Sequence, residues 1–232
     1  MTQEFADRHV VITGGTGGLG QAVVTEIANA GATVHVPCME SDLPDVTWSQ
    51  RDHVHATTGV DLSDQAQVEA FYDRLPPLWA SIHLVGGFSM APVVDTSVAD
   101  LQSMFEVNAV TCFACCRSAV KSMRQSGQGG RILNVTARPA LQPAAGMIAY
   151  SVAKAAVAAL TRALATELHR DHILVNAIVP SIIDTQVNRT SMPDADFDAW
   201  PKATQVAESI RFLVSPHNQL TSGSLVPVYG DA

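Results

Sequence analysis

Tyr150 and Lys154 stand four residues apart within a stretch, 147–169, whose spacing predicts a helix. Both side chains therefore leave the same helix face. A phenol titrates near 10 and exchanges protons poorly in neutral water, and an ammonium beside it favours the phenolate. The pair is a candidate acid–base device. A second constellation fills residues 9–20, HVVITGGTGGLG. An apolar run with the pattern of a buried strand passes through Gly14, Thr16, Gly17, Gly18, Leu19 and Gly20 into a helical pattern at 21–30. Gly14 suits a tight turn, Gly18 a close approach of backbone to a pyrophosphate, and Gly20 the packing of helix on strand. The helix start offers unpaired N–H groups and partial positive charge to phosphates.

These residues need a scaffold, and the rest of the chain reads as one. Strands and helices alternate: strands at 9–13, 33–36, 54–60, 81–85, 131–135, 173–179 and 224–228, with helices at 21–30, 64–75, 97–125, 147–169 and 204–214 between them. Gly31 closes the first helix, and Ser97 with Asp100 forms a capping box at the third. Residues 137–146 read as loop, and 181–200 as a long excursion. The expectation is an α/β fold: one doubly wound, mostly parallel seven-stranded sheet with helices on both faces, in a single domain over 1–232, its ligand at the carboxyl ends of the strands. At 232 residues, 47% hydrophobic and 16% charged, the chain can bury a substantial core. A net charge of −8 argues against nucleic acid and anionic membrane as partners. No apolar run is read as a membrane span, and the polar start MTQEFADRH has no signal-peptide core, so a cytoplasmic location is expected. The four cysteines, Cys38, Cys112, Cys115 and Cys116, lack a second cluster that would complete a zinc site and read as small buried hydrophobes; no metal is expected. His53 and His55 share a strand face with no third ligand.

T-G-x-x-x-G-x-G at 13–20, followed by Y-x-x-x-K after the fifth strand, resembles the short-chain dehydrogenase/reductase family over nearly the whole chain. The resemblance implies a nicotinamide cofactor, NAD(H) or NADP(H). It implies that Asp61 and Leu62 meet the adenine, that Asn108 holds a water in a proton relay, and that Lys154 binds the nicotinamide ribose and tunes Tyr150. Tyr150 would exchange the proton. Pro180, Ile183 and Thr185 would hold the carboxamide. The family's pairing of two apolar helices, here 110–119 and 153–164, implies a homodimer or homotetramer.

Three positions depart from the family pattern. Gly86 and Gly87 replace the usual Asn-Asn-Ala-Gly after the fourth strand and leave backbone room for the adenosine. The cofactor-specificity position falls on Cys38, followed by Met39 and Glu40; with neither an acid there nor an adjacent Arg or Lys, the lean is slight and toward NADH. The family's catalytic serine is replaced by Ala137, and Thr136, on a regular strand, faces the other way. The segment 143–150, PAAGMIAY, and the loop near 184–200 are similar to the quinonoid dihydropteridine reductase branch, which lacks that serine. The expected activity is hydride transfer between the cofactor and a small carbonyl, imine or quinonoid substrate. The alternative is a dinucleotide-binding sensor or assembly protein with little catalysis.

Overall fold

The computed structural model describes residues 3–231. Its seven strands are β1 (His9–Thr13), β2 (Thr33–Pro37), β3 (Val54–Thr57), β4 (Leu78–His83), β5 (Gly130–Val135), β6 (Ile173–Pro180) and β7 (Leu225–Val228). All join one sheet in the order β3-β2-β1-β4-β5-β6-β7, and every neighbouring pair runs parallel. The order reverses between β1 and β4, which opens a crevice at their carboxyl ends. The helices α1 (Gly18–Asn29) and α8 (Ala203–Val214) supply one core with Val10, Ile12, Val34 and Ile82. On the other face, α2 (Gln65–Tyr72), α4 (Thr111–Ser126) and α6 (Ile148–Glu167) pack on Val11, Ile132, Ile173 and Val175. Strands covered on both sides carry apolar residues on both faces, which is why β1 and β6 read as continuous apolar runs.

Several boundaries differ from expectation for local reasons. The first helix begins at Gly18, three residues early, because the glycine loop itself supplies its first turn. β4 starts at Leu78 and ends at His83, so Val85 lies beyond the strand; Leu84 N–H still bonds Thr13 before the chain turns away into Gly86. β3 stops at Thr57 because Gly59 takes a left-handed turn. The helix expected over 97–125 is α3 (Val98–Phe105), a π-helical turn (Glu106–Val110) and α4 in succession. Its start holds the expected capping box of Ser97 and Asp100. Within the segments read as loops lie two short helices, α5 (Arg138–Leu141), with Pro139 in its first turn, and α7 (Gln186–Ser191). The excursion is pinned by Asp184, whose carboxylate bonds both Arg189 and Lys202.

No continuous apolar run reaches the length of a membrane span, since Lys154 and Arg162 interrupt α6. By length and composition alone α6, at 20 residues and mean hydropathy 1.3, is nonetheless long and apolar enough to cross a bilayer. Its buried residues Ala149, Ala153, Val157, Ala158 and Thr161 are those of a helix packed in the fold, and they sit among small side chains that let it lie close to β5 and β6.

Candidate active site

The residues singled out for chemistry converge on the carboxyl ends of β1, β4, β5 and β6. Gly14 takes a left-handed turn, φ +70°, as β1 ends. A Cβ at Gly20 would lie 2.0 Å from the Gly14 carbonyl oxygen, so only glycine lets α1 start this close to the strand. The first turn of α1 has no side-chain cap and no acidic residue. Its N–H groups are therefore available to an anion. A Cβ at Gly18 would lie 3.0 Å from the Thr185 side chain, which brings the loop after β6 against the glycine loop. Two contacts brace this cradle from behind, and neither was legible in the sequence. Buried Trp48 donates its indole N–H to the Gly15 carbonyl at 3.0 Å, and Gln21 Nε2 donates to the Thr16 carbonyl at 3.1 Å. Trp48 reaches the loop only after the chain has folded back through 38–53, and the same returning segment holds Gln21, whose Oε1 accepts from Thr47 N–H at 3.1 Å.

Asn108 lies in the π-helical turn and is buried. Such turns hold one extra residue and often mark functional positions. Its Nδ2 donates to the Gly87 carbonyl at 3.1 Å and to Met104 at 2.9 Å, while its Oδ1 accepts from Gly87 N–H at 3.3 Å. Asn108 thus clamps the loop after β4. Gly86 is the contact point: a Cβ there would sit 2.6 Å from Asn108 Oδ1 and 3.0 Å from Lys154 Nζ. The departure from the usual Asn-Asn-Ala-Gly is therefore compensated by close packing of backbone on the two polar side chains.

Lys154 Nζ donates to the Val135 carbonyl at 2.9 Å and lies 6.0 Å from the centre of the Tyr150 ring. Burial pulls the ammonium down to about 8, with the nearby Cys112 opposing the shift. Burial pushes the Tyr150 phenol up to about 12. Burial is the cause of that rise, while the Lys154 ammonium attends a backbone carbonyl. Phe88 meets Tyr150 edge to face, ring centres 5.0 Å apart. Thr136 turns away from the site, as alternation along β5 requires, and donates to the Lys154 carbonyl at 2.7 Å. Ala137 is buried and precedes α5, so no hydroxyl stands at that point.

The remaining candidates are mixed. Cys38 is buried at the end of β2, its thiol directed at the Val36 carbonyl; burial, with Glu40 nearby, raises it to about 11. Asp61 Oδ1 accepts from the N–H and hydroxyl of Ser63, the role of a turn former, and Leu62 is buried in the core. Pro180 ends β6. The Ile183 carbonyl accepts from Asn188 Nδ2, and Thr185 caps α7 through Asn188 N–H. His55 pairs not with His53, which bonds the Ala28 carbonyl, but with His35, which in turn stacks on His9.

A family model for short chain dehydrogenase matches residues 8–196. The chain belongs to the short-chain dehydrogenase family. Among relatives of this family it is similar to cis-4-hydroxycyclohexanecarboxylate dehydrogenase of Sinomonas cyclohexanicum, 29% identical over 99% of this chain and 98% of that one. It is 33% identical to the uncharacterized oxidoreductase YohF of Escherichia coli strain K12 over 70% of this chain and 68% of that one. The fold matches a short-chain type dehydrogenase/reductase from Mycobacterium ulcerans with a TM-score of 0.88, at 21% identity, over 100% of this chain and 90% of that one. The chain is an oxidoreductase of this family.

Proposed function

We propose that this short-chain dehydrogenase reduces a small ring-bearing carbonyl, imine or quinonoid compound, with Tyr150 as the proton donor and NAD(P)H as cofactor. The observation that carries the reading is the convergence of Tyr150, Lys154, Asn108 and Gly86 beside an uncapped glycine-loop helix start. The cradle suits a dinucleotide: Gly18 and the first turn of α1 would hold its pyrophosphate, and Lys154, Ile183 and Thr185 would hold its nicotinamide half. When bound, the cofactor supplies the hydride. The chain's own part is to position and protonate. A phenol held near 12 is fully protonated in neutral water, the form a donor to a reduced product needs. The exposed residues 39–42 contain Glu40 and Asp42 and no Lys or Arg, so no cation there meets a 2′-phosphate; this favours NADH.

Phe88, edge to face with Tyr150, is 60% exposed and sets an apolar wall beside the phenol. Such walls take up a carbocyclic or heterocyclic ring by its faces and edges. That chemistry covers a hydroxylated cyclohexane ring, the substrate type named for the Sinomonas relative, and a dihydropterin-like ring, the branch suggested by 143–150 and 184–200. Ala137 favours substrates that need little help with developing oxyanion charge. Losing one aligned donor costs roughly 2.7–4 kcal/mol, or 10²–10³ in rate. A quinonoid ring spreads the incoming charge and suffers less than a simple ketone. The test is a panel of cyclic ketones, quinones and quinonoid dihydropterin with NADH and NADPH, followed by reduced-nicotinamide absorbance, in wild type and Ala137→Ser. The expected result is quinonoid turnover in wild type and a selective gain on ketones in Ala137→Ser. Normal ketone rates in wild type that Ala137→Ser leaves unchanged would remove Ala137 from the argument. Tight dinucleotide binding with no turnover on any substrate would favour a sensor or assembly role.

A further inference from the structure

Between β4, β5 and α4, beneath the π-helical turn, four side chains direct their polar atoms at one another. His83 Nδ1 lies 2.9 Å from Asn134 Oδ1 and 3.4 Å from Cys116 Sγ. Cys112 Sγ and Cys116 Sγ lie 3.3 Å and 3.5 Å from the same oxygen. The histidine nitrogen and the two sulfurs are all within 4.8 Å of one another, and all four residues are buried. Cys112 and Cys116 project from one face of α4, four residues apart, while His83 and Asn134 are register partners on adjacent strands. The third ligand that the cysteine spacing alone lacked comes from β4.

The arrangement differs from a relay of hydrogen bonds, in which each group passes a proton to the next. Here one carboxamide oxygen, with two lone pairs, faces an imidazole nitrogen and two thiols at once. The orientation of that amide is set from outside the cluster, since Asn134 Nδ2 donates to Thr161 Oγ1 at 3.0 Å. The far nitrogen of His83 is held by Ser81 Oγ at 2.8 Å, and Ser81 by Tyr72 OH at 2.9 Å. An oriented outer nitrogen is what a metal-ligating histidine needs. Four of the six separations among these atoms are 2.9–3.5 Å, and Cys112 Sγ lies within 4.8 Å of both His83 and Cys116 Sγ; a zinc ion with bonds of about 2.0–2.3 Å needs ligand atoms spaced on this scale.

We propose that His83, Cys112, Cys116 and Asn134 form an interior structural site for a thiophilic divalent cation, with Zn2+ as the fitting ion. Two sulfurs, one imidazole and one carbonyl oxygen make a closed four-ligand set with no position left for substrate. Binding releases one proton from each thiol to solvent. Two thiolates then neutralise the dication, which a fully buried site requires. The ion ties α4 to β4 and β5 directly below the turn that carries Asn108, and it is taken up as the chain folds.

The test uses the full chain, isolated from zinc-supplemented cultures and also unfolded with chelator, then refolded with no metal, Zn2+ or Co2+. The expected result is one zinc per chain by elemental analysis after desalting, and a higher melting temperature for the zinc-refolded than the metal-free protein. Cobalt should show intense thiolate-to-metal charge-transfer absorption with tetrahedral ligand-field bands. Cys112→Ser/Cys116→Ser should lose the metal, whereas Cys115→Ala, which removes a thiol outside the cluster, should keep it. The proposal is overturned if protein from both preparations holds no metal, if bound cobalt shows no thiolate band, or if the double serine variant retains zinc. Should the double variant fail to fold, the wild-type cobalt spectrum decides alone.

Discussion

Tyr150 occupies surroundings that disfavour its anion, and this sets what the residue can do unaided. Burial pushes the phenol up to about 12 and draws Lys154 down to about 8, because each loses hydration that its charged form needs. In cofactor-free protein, the tyrosinate absorbance that distinguishes wild type from Tyr150→Phe should therefore emerge only in strongly alkaline solution; a difference appearing near pH 7 would mean that Lys154 controls the phenol after all. Tyr150→Phe should abolish turnover and leave dinucleotide affinity within a few-fold, since the hydroxyl serves the proton and not the cradle. Calorimetry alongside steady-state rates checks both halves. Retention of most of the wild-type kcat would take Tyr150 out of the mechanism.

At the scale of elements, the site depends on how closely backbone approaches side chains. The loop after β4 can lie against Asn108 and Lys154 because Gly86 has no Cβ. Gly86→Ala should displace both groups by a sizeable fraction of an ångström and lower kcat by on the order of 10²-fold. Its melting temperature should change far less, because the loop lies outside the sheet core. A variant with normal kcat would show that this packing is incidental. The amino end of the sheet has its own device. Across β1, β2 and β3, His9 stacks on His35 and His35 meets His55 at a tilt, with ring centres 5.3 Å and 5.5 Å apart. Burial, and then the charges of His9 and His55, lower His35 to about 4 from 6.5. Between those values the unfolded chain binds a proton that the folded chain refuses, so stability is lost as pH falls from 6.5 toward 4. His35→Leu should flatten that part of the profile, seen as a smaller drop in melting temperature between pH 7 and pH 5. An unchanged slope would assign the acid sensitivity elsewhere.

For the whole molecule, the apolar residues left on the surface point to self-association. Phe113 on α4 is 49% exposed, and Ile148 and Val152, one turn apart on α6, are 45% and 48% exposed. Side chains of this size exposed on two long helices suit a self-complementary interface. We propose a homodimer or homotetramer built on α4 and α6. Light scattering at micromolar concentration should give a multiple of the chain mass. Phe113→Asp should reduce it without unfolding the protein, because the side chain is half exposed in the single chain. A wild-type monomer would reject the assembly.

The order of strands and helices was legible along the chain because parallel strands buried on both faces are short apolar runs, and glycine, proline and capping residues punctuate them. The glycine turn into α1 and the placing of Tyr150 and Lys154 on one helix were legible for a related reason: each is local, its geometry set by spacing within one turn or one helix. Thr136 facing away was also local, a consequence of strand alternation. Other features required distant segments to meet. Trp48 reaches Gly15, Gly86 fits between Asn108 and Lys154, and Thr185 closes on Gly18 only through the crossing of separate strand ends. The π-helical turn at Asn108 has no signature in residue spacing, since it inserts one residue into an otherwise continuous helical pattern. The ionisation of Tyr150 depends on desolvation, which no spacing reveals. His83 joined Cys112 and Cys116 for the same reason that sheets conceal their contacts in sequence: a strand and the helix that covers it lie side by side in space while standing far apart along the chain.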